Sequence, residues 1–206
     1  MKVIGLTGGI GSGKSFVARV ASYFFPVLHI NTDEMARQQM LKGQISYNRV
    51  VEEFSKYSDE LLNEDGEINR PVLAGIVFND ADLLNKLNGI THPAVIEGIK
   101  EIIGSVSETG EFEAVMIESA LVFESGIDRI CDEVWYVHAP VSTRVRRLKE
   151  SRGYTDEKIS SVLDDQLADE EFKKRSDRVI ENDEGTDVED MFTILSDMLL
   201  DITAKG

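Results

Sequence analysis

Apolar residues fall in short unbroken blocks near the start of the chain and again beyond its middle, and at helical spacing in between. Val3 to Thr7 is a block with β-branched members. After a run of glycines, Phe16, Val17, Val20, Ala21 and Phe24 recur as one face of a helix would. The pattern predicts strand, tight loop, helix. Pro26 ends that helix because its ring cannot continue the hydrogen-bond ladder, and Val27 to Ile30 forms a second block running into Asn31, Thr32 and Asp33. Ala114 to Ile117, Val134 to Val137, and Val179 with Ile180 are further strand candidates. Each is continuous rather than alternating, as for parallel strands covered on both faces, so Trp135 and Tyr136 are expected to pack on opposite sides.

Between about 38 and 112 the texture becomes helical. Val50 and Phe54, then Leu73, Ile76 and Val77, then Leu83, Leu84 and Leu87, then Val95, Ile96 and Ile99 mark successive amphipathic turns, a helical insertion between the second and third strands. Asp59 to Glu67 reads as a solvated acidic loop. Pro140 to Gln166 is rich in Arg and Lys and reads as a mobile basic flap, with a helix from Thr155 to Leu163 that Thr155 caps.

Charge narrows the partners. Lys and Arg number 22 against 38 Asp and Glu, a net of −16, which disfavours a broad basic surface for nucleic acid or anionic lipid and makes any phosphate site a local one. Cys131 is the single cysteine, so no intrachain disulfide can form. The polar glycine run from Gly8 to Ser15 interrupts the apolar centre that a signal peptide needs, and no segment has the roughly 20 apolar residues of a membrane span. The expectation is a cytoplasmic protein with no membrane or nucleic-acid partner and no obligate protein partner.

Gly8, Gly9, Ile10, Gly11, Ser12, Gly13, Lys14 and Ser15 match G-x-x-x-x-G-K-[ST] without a mismatch. Glycines let backbone N–H groups curl around phosphates, Lys14 brings a point charge to the β- and γ-phosphates, and the Ser15 hydroxyl ligates the magnesium bridging them. The helix that follows adds its positive end. The motif alone leaves kinase, GTPase, motor and switch open.

The guanine-reading string N-K-x-D is missing: Asn85, Lys86, Leu87 and Asn88 lack its Asp and fall in the helical insertion. Glu118, after the third apolar block, could orient magnesium through water or serve as a cap or salt-bridge partner. Asp33 follows the second strand, with Arg37 four residues on along the same helix face. The pair reads either as a proton acceptor beside an anion-holding guanidinium, or as an N-cap with a salt bridge. His92 before Pro93 reads as a substrate contact or as a helix-start histidine, and His29 and His138, beside strands, have no expected catalytic role. Arg144, Arg146 and Arg147 form either a solvated helix face or a polyphosphate contact.

T-G-G-I-G-S-G-K-S (Thr7 to Ser15), N-T-D-E-M-A-R (Asn31 to Arg37), N-R-P-V-L-A-G-I-V-F (Asn69 to Phe78), H-P (His92, Pro93), L-V-F-E (Leu121 to Glu124) and V-I-E-N (Val179 to Asn182) together resemble the dephospho-CoA kinase family. The resemblance implies an α/β P-loop kinase, a three-layer fold with a five-stranded parallel sheet, a helical substrate-binding insertion and a helical lid. The core would comprise 1–37 and 113–206, including a lid at about 141–176, and the CoA-substrate insertion 38–112. It implies transfer of the γ-phosphoryl of ATP to the ribose 3′-hydroxyl of dephospho-CoA, with Mg2+, giving CoA and ADP. Gly9, Ile10, Gly11, Ser12, Gly13, Lys14, Ser15, Phe16 and Asn182 would bind nucleotide, Ser15 the metal, and Asp33, Arg37, Arg70 and His92 the acceptor. Asp33 would be the base, and Arg147, ahead of Arg152 and Arg144, the lid arginine. Departures are Asn31 where the family commonly has the first Asp of D-x-D, Glu118-Ser119-Ala120 where D-x-P is common, and Ser151 and Val162 at positions where arginines are frequent. Another small-molecule kinase, such as one acting on nucleoside monophosphates, and a non-catalytic nucleotide switch are the alternatives.

Overall fold

The computed structural model describes residues 1–78, 80–164 and 166–204. Residue 165 of the expected lid and residues 205 and 206 of the expected core lie outside the described residues. The elements run β1 (Lys2–Thr7), α1 (Lys14–Phe24), β2 (Val27–Asn31), α2 (Thr32–Gln39), α3 (Ile45–Phe54), α4 (Arg70–Phe78) and α5 (Ala81–Ser107). They continue with β3 (Ala114–Glu118), α6 (Val122–Ser125), β4 (Glu133–His138), α7 (Val141–Arg152), α8 (Asp156–Asp164), α9 (Asp169–Arg175), β5 (Arg178–Glu181) and α10 (Val188–Ala204). The chain forms two compact units, Met1–Ile30 with Ser105–Gly206, and Asn31–Gly104.

The first unit is built on a five-stranded parallel sheet in the order β2-β3-β1-β4-β5, with Val3 opposite Val115 and Leu6 opposite Trp135. β3 is buried along its whole length, in keeping with its unbroken apolar run. Trp135 and Tyr136 are both buried and part company as alternate residues of a strand must. Trp135 joins Ile4, Leu6, Val17, Val20, Leu195 and Leu199 between the sheet and helices α1 and α10. Tyr136 stacks on Phe172 of α9, ring centroids 5.0 Å apart. Truncating one of these large core side chains to alanine would cost about 2–5 kcal/mol. Parallel strands put their carboxyl ends on one edge, where open α/β sheets bind ligands. The loops after β1, β3, β4 and β5 therefore assemble the site.

Arg144 and Leu148 of α7, inside the basic stretch, and Phe172 of α9, beyond its end, are buried. Between them α8 begins one residue after Thr155, whose Oγ1 accepts from Lys158 N at 3.4 Å.

The second unit has its own core of Val50, Phe54, Leu61, Ile68, Leu73, Val77 and Leu83. Two local expectations change here. The acidic stretch is not purely solvated, because Leu61 is buried and Leu62 bridges Ile68 around a turn whose Gly66 adopts φ 80°. Pro93 does not start a helix; α5 runs through it, with Leu83, Thr91, Val95 and Ile99 buried along one face, so continuous burial outweighs the lost ladder bond.

Candidate active site

β1 delivers the chain into the glycine loop, and α1 begins at Lys14 with Gly13 in the left-handed region at φ 95°. Helix N-termini that follow such a loop present amides and a positive dipole end to anions. The Lys14 ammonium donates to carbonyl oxygens of the loop itself, Gly8 at 2.7 Å and Gly9 at 3.3 Å.

Arg144, Gln166, Arg147 and Asn182 hold the loop from outside. Arg144 has its guanidinium buried. Its Nε donates to Ile10 O at 2.9 Å, Nη2 to Gln166 Oε1 at 2.9 Å, and Nη1 pairs with Asp169 at 3.3 Å. Gln166 Oε1 also accepts from Ile10 N at 2.9 Å, so the peptide groups flanking Ile10 are engaged on both polarities. Arg147 Nη1 lies 3.4 Å from Gly11 O and 3.3 Å from Ser12 O, and Nη2 donates to Asp183 O at 3.1 Å. Asn182, buried at the end of β5, donates from Nδ2 to Ser12 O at 2.7 Å, while its backbone N–H bonds His138 O. These contacts explain the glycines: a Cβ on Gly9 would strike the Arg144 guanidinium, and one on Gly13 would strike Asn182 Nδ2.

Ser15 Oγ donates to Glu118 Oε1 at 2.5 Å, and Glu118 Oε2 lies 2.9 Å from His29 Nε2. Burial pushes the Glu118 carboxyl up. The hydrogen bonds from His29 and Ser15, with the charges of His29 and Lys14, outweigh it and hold the group below the usual glutamate range. On the far side of the loop, Asp169 Oδ1 accepts from Tyr136 Oη at 2.7 Å, and burial followed by that carboxylate pushes the phenol well up.

Of the expected site residues, Gly9 to Ser15, Arg147 and Asn182 are therefore gathered on one loop. The Phe16 side chain packs against the sheet core. Asp33, Arg37, Arg70 and His92 belong to the second unit, where Arg70 Nη2 donates to Arg37 O at 2.9 Å. Asp33 is not the helix cap: Asn31 is, accepting from Glu34 N at 3.0 Å, and Arg37 pairs with Glu34 at 3.6 Å. His92 lies inside α5 rather than at a helix start. Sequence reasoning missed Gln166, Asp169 and His29 as loop and carboxylate partners. Their contacts span up to 156 residues, and no local pattern signals them.

A family model described as dephospho-CoA kinase matches residues 2–187. A dephospho-CoA kinase of Bacillus cereus is 38% identical over 188 residues, covering 91% of this chain and 90% of that protein. The crystal structure of TT1252 from Thermus thermophilus superposes with a TM-score of 0.75 at 31% identity over 97% of both chains. A dephospho-CoA kinase structure from Campylobacter jejuni, 24% identical, shares the fold with a TM-score of 0.68 over 98% of both chains. The chain belongs to the dephospho-CoA kinase family.

Proposed function

We propose that this loop and the residues around it carry the family's reaction as follows. The chain is an ATP-dependent kinase that phosphorylates dephospho-CoA in CoA biosynthesis, and the acceptor is the ribose 3′-hydroxyl. The observation that carries the assignment is the glycine loop held by Arg144, Arg147 and Asn182, which limits the reorganisation the loop needs to bind phosphates.

Lys14 exchanges its loop carbonyls for the β- and γ-phosphates and neutralises charge there as the phosphoryl group moves. Magnesium fits the residues present: it prefers oxygen ligands, and Ser15 offers a hydroxyl whose proton is committed to a buried carboxylate, Glu118, that can orient a water. When bound, the ion supplies charge neutralisation across the transferring phosphates. Arg147, on the carbonyls of Gly11 and Ser12, holds the loop and faces developing phosphate charge. Asp33 accepts the proton of the acceptor hydroxyl; with Asn31 capping the helix and Glu34 pairing Arg37, neither local duty falls to it. Arg37 and Arg70, joined by a hydrogen bond, hold acceptor phosphates, with His92 a further acceptor contact. The 38–112 insertion serves as acceptor-binding domain and 141–176 as lid. Among the described residues no helix is long and apolar enough to cross a membrane. We place the reaction in the cytoplasm.

The test is direct. Purified protein with ATP, magnesium and dephospho-CoA should yield equal amounts of CoA and ADP by chromatography, with phosphate on the 3′-oxygen by NMR. ADP formed with AMP as acceptor but not with dephospho-CoA would instead favour a nucleoside monophosphate kinase. Tight nucleotide binding with no acceptor turnover would favour a switch.

A further inference from the structure

His29 sits on β2, and its side chain is about one-fifth exposed, at 21%. Its Nε2 faces Glu118 Oε2 at 2.9 Å, while Oε1 of the same carboxylate accepts from Ser15 Oγ. A carboxylate is an acceptor, so the imidazole nitrogen opposite it carries the proton. The terminal torsion of a glutamate is soft, and each hydrogen bond to its oxygens restricts it. Two bonds on two different oxygens fix it. With the carboxylate fixed, the Ser15 O–H is fixed as well, and the Oγ lone pairs point away from Glu118.

We propose that His29 is a positioning residue for phosphoryl transfer: by locking Glu118 it aims the Ser15 lone pairs at the magnesium that accompanies the nucleotide. The inference rests on the reading of Ser15 as a magnesium ligand. His29 bonds the carboxylate rather than Ser15 and acts through it, as outer partners of metal ligands do elsewhere.

Calorimetric titration of the full chain with ADP, in EDTA and in excess magnesium, tests it. The quantity read is the gain in ADP affinity that magnesium brings. His29→Phe keeps the ring shape and removes the donor; it should shrink that gain by about tenfold, leave affinity in EDTA unchanged and leave the melting temperature close to wild type. His29→Gln places an amide N–H where Nε2 stands and should restore most of the gain. Should His29→Phe melt early, His29→Leu serves the same comparison. An undiminished magnesium gain in the donor-less variant would overturn the proposal. So would an equal loss in EDTA and in magnesium, which marks a merely structural role. The underlying reading fails separately, when Ser15→Ala retains the full wild-type gain.

Discussion

The Arg144 guanidinium stands where a side chain on Gly9 would have to go. The two residues are 135 positions apart, and each fixes what the other can be. Gly9→Ala must displace a buried arginine from Ile10, Gln166 and Asp169 together. We expect ADP affinity to fall by at least about tenfold, or 1.4 kcal/mol. Because the damage comes through the arginine, Gly9→Ala with Arg144→Ala should be less harmful than the two effects summed, by roughly 0.5–3 kcal/mol. Strict additivity in calorimetric titrations would refute the coupling.

Lys14 donates to two loop carbonyls, and those bonds are dispensable to the fold because Arg144, Arg147 and Asn182 hold the same loop. Lys14→Ala should therefore melt within a few degrees of wild type while kcat drops by about 10² to 10³. Steady-state kinetics beside a thermal melt separates the two. A variant turning over at near wild-type rate removes Lys14 from the chemistry.

Asp33→Asn distinguishes a chemical role from a helical one more sharply than the local sequence suggests, since the cap is Asn31. Helix α2 should be unaffected. If Asp33 accepts the hydroxyl proton, kcat falls by roughly 10² to 10⁴ with KM for ATP little changed. A kcat within about threefold of wild type would dismiss it as the base.

Glu118 gives a pH dependence of stability. Its folded value lies below the ordinary one, so the unfolded chain takes up the proton first as acid is added. The stabilisation is fully present above the ordinary glutamate value, about 4.3, and is lost as pH falls through the lower folded value. With His29 in place, the gap in melting temperature between the wild-type and Glu118→Gln proteins should narrow as pH falls through and below the ordinary glutamate value. A gap that widens in acid contradicts the assigned direction.

The parts legible in sequence are those written contiguously. The phosphate loop is a single eight-residue string, and the continuous apolar blocks mark buried parallel strands because both faces are covered. The second unit's helices show in their spacing. What escaped was long-range or offset by a residue or two. Arg144 as a loop clamp needs Gln166 and Asp169 beside it, and the His29 to Glu118 contact crosses 89 residues. Asn31 and Asp33 are both good caps by type, so only the backbone decides which carries that duty. Helix α5 passing through Pro93 is a case where burial along one face, before and after the proline, overrides a local breaker.

The strand order sets when the molecule can become an enzyme. β1 and β2 are consecutive in sequence, yet β3 lies between them, and β1's other neighbour, β4, comes later still. During synthesis, therefore, the strand leading into the phosphate loop has no neighbouring strand until β3 has emerged. Asn182, which grips Ser12, arrives last among the loop's holders. Such pairing closes long loops before any contact rewards them, which slows sheet formation. A chain that has not yet reached Asn182 lacks one of the groups that hold the cradle, so full nucleotide affinity is expected only once β5 has been made.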